Sequence, residues 1–190
     1  MAETVAPDVV DAEFVGAFAS RWLAGWNEHD VDALVELCTE DVLWEDPALP
    51  GPEGGRAAVR EYLIGTWSMF PDLSFTLPEP SMIALAGPRA AQVWRMTGTM
   101  LGSDPWAGFA PTGKRMEIEG IDLYEFRDGL VAHYRGKYDL AEVARQIGLA
   151  PARGSRPERT MAFLQRTSMR LRRRGQPNTA PSTKHTNAAA

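Results

Sequence analysis

The sequence has little of the material that builds disulfides and metal centres. Its 190 residues include one cysteine, Cys38, and three histidines, His29, His133 and His185. One cysteine excludes a disulfide within the chain, and the histidine spacings are not those of a zinc site. We therefore expect a protein that works without a metal ion or another cofactor.

Long hydrophobic runs are also missing. No apolar stretch approaches the ~20 residues of a membrane-spanning helix, so we expect no transmembrane segment. The acidic start, MAETVAPDVVDAEF, lacks the basic and apolar regions of a signal peptide. Hydrophobic residues make up 44% of the chain and charged residues 24%, which is typical of a globular protein, and we expect a cytoplasmic one.

Basic residues are scarce in residues 1–150 and concentrated afterwards. The first part holds 11 Lys and Arg against 24 Asp and Glu, whereas residues 151–190 hold 9 Lys and Arg and one acid, Glu158. The basic stretch either lies on its own acidic body or reaches a membrane, another protein or nucleic acid. Because it lacks interleaved aromatic residues, we favour the first interpretation and expect no nucleic-acid partner.

The hydrophobic periodicity predicts helices first and strands afterwards. Aromatic residues recur at intervals of four in residues 11–28, from Phe14 to Trp26, which indicates an amphipathic helix. Strands with tight turns between them dominate the second half. The predicted helices cover 11–28, 31–38, 56–70, 140–148 and a basic 158–174, and the predicted strands cover 40–46, 74–85, 89–100, 114–126 and 130–140.

Helices followed by a run of strands define an α+β fold class. We expect a curved antiparallel sheet wrapped around the N-terminal helices, whose open mouth leads to a pocket for a small hydrophobic substrate. The long loop 101–113, with Trp106 and Phe109, is interpreted as a lid over that pocket. The predicted organisation is an extension over 1–10, a domain over 11–150, a basic helical appendage over 151–174 and a disordered tail over 175–190.

One aspartate interrupts a buried strand face. In KRMEIEGIDLYEF the even positions are apolar except for Asp122 and the hydroxyl group of Tyr124. A carboxylate on such a face needs a hydrogen-bonding partner or becomes protonated. Asp122 therefore either pairs with the backbone or with an arginine such as Arg95, or belongs to a functional site.

A second aspartate ends the strand in VLWEDP, residues 42–47. Trp44 and Asp46 share the face with the larger apolar side chain, so Glu45 is expected to point outward. An ordinary alternative is that Asp46 fixes the turn before Pro47. Alternation also places Trp94 and Met96 inside, but it leaves open which face of the last strand, with Tyr134 and Gly136 on one side, is buried.

Several segments resemble the SnoaL-like polyketide cyclases of the nuclear transport factor 2-like superfamily. The resemblance covers roughly residues 11–150 and rests on WNEHD, EDVLWEDP, GGRAAVREYL and PTGKRMEIEGIDLYEFRDGLVAHYRGKYDLAEVARQIG. WEDP and GIDLYEF also resemble segments of ketosteroid isomerases. The resemblance implies a cystatin-like cone and a homodimer formed through the exposed strand faces.

The resemblance also implies roles for particular residues. In ketosteroid isomerases the residue matching Asp46 is the general base, and the one matching Asp122 is a protonated donor to the enolate oxygen. Trp22 takes the place of a tyrosine donor there. In SnoaL-like cyclases the acid/base aspartate of the last strand matches Gly136, which carries no acid, and a pocket histidine matches Asp122.

We therefore predict a cofactor-free cyclase or isomerase that removes a proton α to a carbonyl of a polyketide-like or polycyclic ketone. Asp46, near solvent, would keep an ordinary pKa and act as base, whereas buried Asp122 would have a raised pKa. The alternative is a non-catalytic small-molecule-binding or dimerisation module. The candidate substrate-binding residues are Trp22, Trp44, Trp67, Trp94, Met96, Trp106, Tyr124 and Tyr134.

Overall fold

A computed structural model describes residues 10–105 and 107–175 of the chain. The chain divides into two compact units, Met1–Ala150 and Pro151–Ala190. None of the described helices combines the length and hydrophobicity that crossing a membrane requires. The predicted disordered tail lies outside the described residues, apart from Gly175, as does most of the predicted N-terminal extension.

The described elements follow the predicted order of helices and then strands. The helices are α1 (Ala12–Glu28), α2 (Val31–Glu36), α3 (Arg56–Met69), α4 (Leu140–Gln146) and α5 (Arg156–Gly175). The strands are β1 (Cys38–Glu45), β2 (Glu53–Gly54), β3 (Ser74–Thr76), β4 (Met82–Ile83), β5 (Arg89–Thr99), β6 (Arg115–Arg127) and β7 (Leu130–Tyr138).

Local signals explain how α1 begins and ends. The side chain of Asp11 accepts a hydrogen bond of 2.8 Å from the backbone amide of Phe14, which caps the helix. His29, with φ of 56°, closes the other end and donates its amide to the carbonyl of Gly25. A Cβ on Gly25 would lie 2.7 Å from Cγ of Leu34, so glycine lets α2 pack closely against α1.

The seven strands form one curved sheet in the order β2-β1-β7-β6-β5-β3, with β4 also paired to β5. The α+β class and the curved sheet are confirmed. The sheet, predicted as antiparallel, is mixed, because β1 pairs with β7 in parallel whereas the other pairs are antiparallel. No hairpin connects these strands, which are far apart in the sequence, so no turn signal could reveal their relative direction.

The structure also differs from the prediction of a strand over 74–85. The structure has two short strands there, β3 and β4, separated by a segment that contains Pro78 and Pro80. Proline has no amide hydrogen to donate to a sheet, which explains the break. The short strand β2, which lies between the predicted strand 40–46 and the predicted helix 56–70, was missed.

Helix α1 packs its aromatic stripe against β6. Phe14 meets Phe126 edge to face at a ring-centroid distance of 5.1 Å, and Phe18 meets Tyr124 at 4.9 Å. Such pairs add to the burial of apolar area. On the other face of the sheet, Arg89 pairs with Glu125 at 3.0 Å. The homodimer expected through that face stays a prediction.

Candidate functional site

Asp46 and Asp122 line the same cavity, which has a volume of about 370 Å³. The strand register brings them together. Asp122 on β6 is paired with Gly136 on β7, and Glu45 on β1 is paired with Arg135. Asp46 follows Glu45 directly, so the parallel pairing of β1 with β7 places it beside Gly136. The two aspartates therefore flank one glycine.

Gly136 leaves room between polar groups. A Cβ at this position would lie 3.0 Å from the hydroxyl oxygen of Tyr134 and 3.1 Å from Oδ2 of Asp46. Both distances are shorter than ordinary van der Waals contacts. The absence of a side chain thus allows the Asp46 carboxylate and the Tyr134 phenol to approach the same point.

Three donors hold the carboxylate of Asp122. Oδ1 accepts hydrogen bonds from Nε1 of Trp94 at 2.7 Å and from the hydroxyl group of Tyr134 at 2.9 Å. Oδ2 accepts one from the hydroxyl group of Tyr124 at 2.9 Å. Burial raises the pKa of Asp122 to about 6, while the three hydrogen bonds act in the opposite direction. The predicted upward shift of the pKa agrees with this structure.

Arg95 is not the partner of Asp122. Its guanidinium group points to the exposed face of the sheet, where it meets Glu119 at 2.7 Å and Glu117 at 3.7 Å. The pairing of Asp122 with Arg95, considered as an ordinary explanation, is therefore wrong. Tyrosine and indole donors, rather than a cation, satisfy this buried carboxylate.

Asp46 is more enclosed than the sequence suggested. Its Oδ1 accepts hydrogen bonds of 2.8 Å from the backbone amide of Ala48 and from the hydroxyl group of Tyr138. Burial raises the pKa of Asp46, and hydrogen bonds from Ala48, Tyr138 and Tyr62 partly oppose the shift. The prediction of an ordinary pKa near solvent was wrong, because the cavity wall closes around this strand end.

The outward direction of Glu45 is confirmed. Its Oε1 lies 2.6 Å from Nε2 of His133 on the neighbouring strand β7. Tyr134 and Gly136 are buried on the opposite face, which resolves the choice that the pattern of the last strand left open. The inward positions of Trp94 and Met96 on β5 are also as predicted.

Five of the eight predicted binding residues line the cavity. Two others, Trp44 and Trp67, are not on its wall, and Trp106 lies outside the described residues. The five that line the cavity are Trp22, Trp94, Met96, Tyr124 and Tyr134.

Trp44 and Trp67 belong to the packed core instead. Trp44 is 1% exposed and stacks on the ring of Tyr134 at a centroid distance of 3.9 Å. Trp67 packs against Trp26 at 5.7 Å and stacks on His29 at 4.9 Å. Their placement among substrate-binding residues is corrected: other aromatic rings cover them.

Sequence reasoning missed two tyrosines that hold Asp46. Tyr138 shares the buried face of β7 with Tyr134 and Gly136, so alternation would have found it once that face was chosen. Tyr62, on α3, looked like an ordinary core residue of an amphipathic helix. No sequence signal marks its hydroxyl group as a partner of Asp46.

The loop after β5 contributes to the cavity wall. Asp104, Ala107 and Phe109 line it, and Phe109 is 49% exposed. The base of the loop is fastened by hydrogen bonds from the amides of Leu101 and Gly102 to the carbonyl of Met69. Closure of this loop as a lid stays a prediction.

Two other buried polar groups, Nε1 of Trp22 and the thiol of Cys38, differ in what they can contribute to the chemistry. Nε1 of Trp22 is buried and finds no hydrogen-bond partner among the described residues, although its ring lines the cavity. Burial raises the pKa of the Cys38 thiol to about 12, so this cysteine is not a nucleophile near neutral pH. Within residues 10–105 and 107–175, no group of three or more acids, cysteines and histidines is arranged to hold a metal ion.

A curved sheet that packs against α1 and encloses a cavity with buried carboxylates is the architecture of the nuclear transport factor 2-like superfamily. The family model of the SnoaL-like domain matches residues 19–134, more than half of the chain. The chain belongs to this family.

Solved structures agree with that assignment. TsrD from Streptomyces laurentii is 26% identical with a TM-score of 0.62, and the match covers 74% of this chain and 99% of TsrD. AclR from Streptomyces galilaeus, a candidate hydroxylase, is 18% identical with a TM-score of 0.63, covering 88% and 100%. A candidate polyketide cyclase from Xanthomonas campestris pv. campestris is 20% identical with a TM-score of 0.63, covering 72% and 98%. These differing descriptions show that the comparison identifies the fold and not the reaction.

Substitution of Gly120 tests how Trp94 reaches Asp122. A Cβ at Gly120 would lie 2.3 Å from Cζ2 of Trp94 and 2.9 Å from the carbonyl oxygen of Lys137. We expect Gly120→Ala to lower the free energy of unfolding by about 2–3 kcal/mol, because the indole must leave its place. Denaturant unfolding measures this. The matched control is Gly16→Ala, where nothing lies within 4 Å of the added Cβ; equal effects of the two substitutions would contradict the prediction.

Proposed function

We propose that this protein is a cofactor-free cyclase or isomerase that acts by removing a proton α to a carbonyl group. The observation that carries the proposal is the presence of Asp46 and Asp122 in one aromatic-lined cavity, on either side of Gly136. A substrate with fused rings or a folded polyketide chain suits such walls, because aromatic side chains bury large apolar surfaces.

Asp46 is the proposed general base. Ala48 and Tyr138 donate to its Oδ1, Tyr62 is a further donor to the carboxylate, and its Oδ2 lies 3.1 Å from the place that a Cβ at position 136 would take. In the first step Oδ2 takes the α-proton, the C–H electron pair forms a carbon–carbon double bond, and the carbonyl oxygen becomes an enolate. A base with a raised pKa is better matched to this task than an ordinary carboxylate.

The proposed enolate donor is the hydroxyl group of Tyr134, supported by Asp122. When Asp122 is protonated, it can donate to the phenol oxygen of Tyr134, whose own proton then turns towards the substrate. This arrangement modifies the role expected from the resemblance, because Asp122 acts through the tyrosine rather than by direct contact. One well-placed donor to a developing oxyanion contributes about 3–4 kcal/mol to catalysis.

The second step decides between the two activities. In an isomerase, Asp46 returns the proton to another carbon of the extended enolate. In a cyclase, the enolate carbon attacks a second carbonyl of the same chain, and the new alkoxide takes the proton from Asp46. Both outcomes leave the protein unchanged and need no oxidant or co-reactant.

The test is deuterium exchange. A panel of polycyclic and β-diketone compounds is incubated with the protein in D₂O, and NMR measures the incorporation of deuterium at the α-carbon. We expect at least one compound to exchange faster than in buffer alone. A panel that binds in the cavity without accelerated exchange would contradict the proposal.

That negative outcome would favour a ligand-binding module. The observation on its side is that three protein donors already occupy the Asp122 carboxylate. A carboxylate held in this way can support the cavity without taking part in chemistry. Binding without exchange therefore separates the two functions.

A further inference from the structure

The ionisable acidic side chains that line the cavity are not matched by basic ones. Three carboxylic acids line it, Asp46, Asp104 and Asp122, whereas no lysine, arginine or histidine does so among the described lining residues. Two cations of the sheet illustrate this. Arg95 is engaged by Glu119 on the outer face, and Lys137, exposed on β7, acts on Asp46 only at a distance.

The walls around these acids are aromatic. The rings of Trp22, Trp26, Trp94 and Tyr62 line the cavity together with the tyrosines that bind the two central carboxylates. Ring faces attract positive charge, particularly when water is displaced from them. The carboxylates and the aromatic rings of this cavity therefore both favour a positively charged ligand group.

From this cavity we infer that the substrate carries a positively charged nitrogen, as a protonated or quaternary amine. The inference rests on the proposed function in taking the cavity as the substrate site, and it adds the chemical class of the substrate. Asp46 is the principal partner of the charge, because it lines the cavity and is less deeply buried than Asp122.

The same charge would assist the proposed reaction. Proton removal moves the negative charge from the Asp46 carboxylate to the enolate oxygen, and the described lining provides no cation to stabilise that charge. An ammonium group on the substrate would neutralise part of the negative charge within the cavity. Proton transfer would then leave a zwitterionic substrate beside a neutral Asp46, with no net charge added to the cavity.

Two probes of matched shape test the inference. Phenyltrimethylammonium and tert-butylbenzene differ in charge but hardly in size, and neither has the ketone needed for proton exchange. Binding is measured by quenching of tryptophan fluorescence and checked by ligand-observed NMR. We expect the cation to bind about tenfold or more tightly than the neutral probe.

Variants identify the source of the preference. In Asp46→Asn the preference for the cation is expected to fall at least severalfold, while binding of the neutral probe is unchanged and shows that the cavity is intact. Glu45→Gln, on the outer face, is the control and should keep the full preference. Equal or tighter binding of the neutral probe, no binding of the cation at millimolar concentration, or an unchanged preference in Asp46→Asn would each overturn the inference.

The two proposals fail separately. A cation preference without deuterium exchange in any ketone, including ketones that carry an amine, would leave an amine-binding cavity and remove the catalytic function. Exchange without a cation preference would leave the catalytic function and remove the inferred substrate class.

Discussion

Replacement of Asp46 by asparagine is expected to lower the rate of α-proton exchange by about 10³-fold. An amide cannot accept the α-proton, and general base catalysis contributes about 10²–10⁴-fold to such rates. The substitution is nearly isosteric, and a carbonyl oxygen in the place of Oδ1 can still accept the hydrogen bonds from Ala48 and Tyr138. The rate is measured by deuterium incorporation with whichever ketone exchanges fastest in the unmodified protein.

The control for this experiment is Glu45→Gln. Glu45 precedes Asp46 but faces His133 on the outer surface of the sheet, so its loss should leave the exchange rate within about twofold. Near-ultraviolet circular dichroism of Asp46→Asn verifies the aromatic packing. A rate within tenfold of the unmodified protein, with that packing intact, would exclude Asp46 as the base.

The second large effect concerns the stability of Asp122 variants. Asp122→Ala removes the acceptor of three buried donors, Nε1 of Trp94 and the hydroxyl groups of Tyr124 and Tyr134. Each orphaned donor costs about 1–3 kcal/mol and the loss of the buried charge offsets part of the total, so we expect the free energy of unfolding to fall by about 3–5 kcal/mol. Urea unfolding at pH 7 measures the loss.

Asp122→Asn should behave in the opposite way. Its amide oxygen can accept from Trp94 and Tyr134, and its amide nitrogen can donate to the hydroxyl oxygen of Tyr124, so each of the three partners keeps a hydrogen bond to residue 122. It also removes the cost of a buried charge. A pKa raised from 3.8 to about 6 corresponds to a cost of about 3 kcal/mol in the ionised protein.

This cost has a defined pH window. The folded state binds the proton of Asp122 more tightly than the unfolded state, so the stability of the unmodified protein falls as the pH rises from about 4 to about 6. We expect the free energy of unfolding of Asp122→Asn to exceed that of the unmodified protein by up to about 3 kcal/mol at pH 7 and to equal it near pH 4. The pH dependence of stability that Asp46 contributes is present in both proteins, so it largely cancels in the difference between them. A difference that does not change with pH, or an Asn variant as unstable as the Ala variant, would contradict this account.

The sequence predicted the two aspartates because strand alternation is a local property. Asp122 interrupts an apolar face and Asp46 shares a face with Trp44, and these patterns suffice to point both side chains inward. The resemblance of WEDP and GIDLYEF pointed to the same pair. The general form of the cone was predictable for a similar reason, since the order of helices and strands is local.

The details that define the site depend on distant parts of the chain. Parallel pairing of β1 with β7 places Asp46 beside Gly136, and no residue in either strand indicates it. Tyr62 reaches Asp46 from α3, and Trp44 is hidden by stacking on Tyr134. Strand alternation predicts which face of the sheet a side chain occupies, but not which residues from distant parts of the chain contact it.

The narrow space at Gly136 restricts which substitutions the site can accept during evolution. An acid at position 136, where SnoaL-like cyclases are expected to carry theirs, would compete with Asp46 for one volume near Tyr134. Gly136→Asp alone should therefore destabilise the protein by about 2 kcal/mol or more, and Asp46→Gly in the same chain should recover most of that loss in unfolding measurements. Moving the acid from position 46 to position 136 by single substitutions should therefore cost less stability through a chain that lacks both acids than through one that carries both.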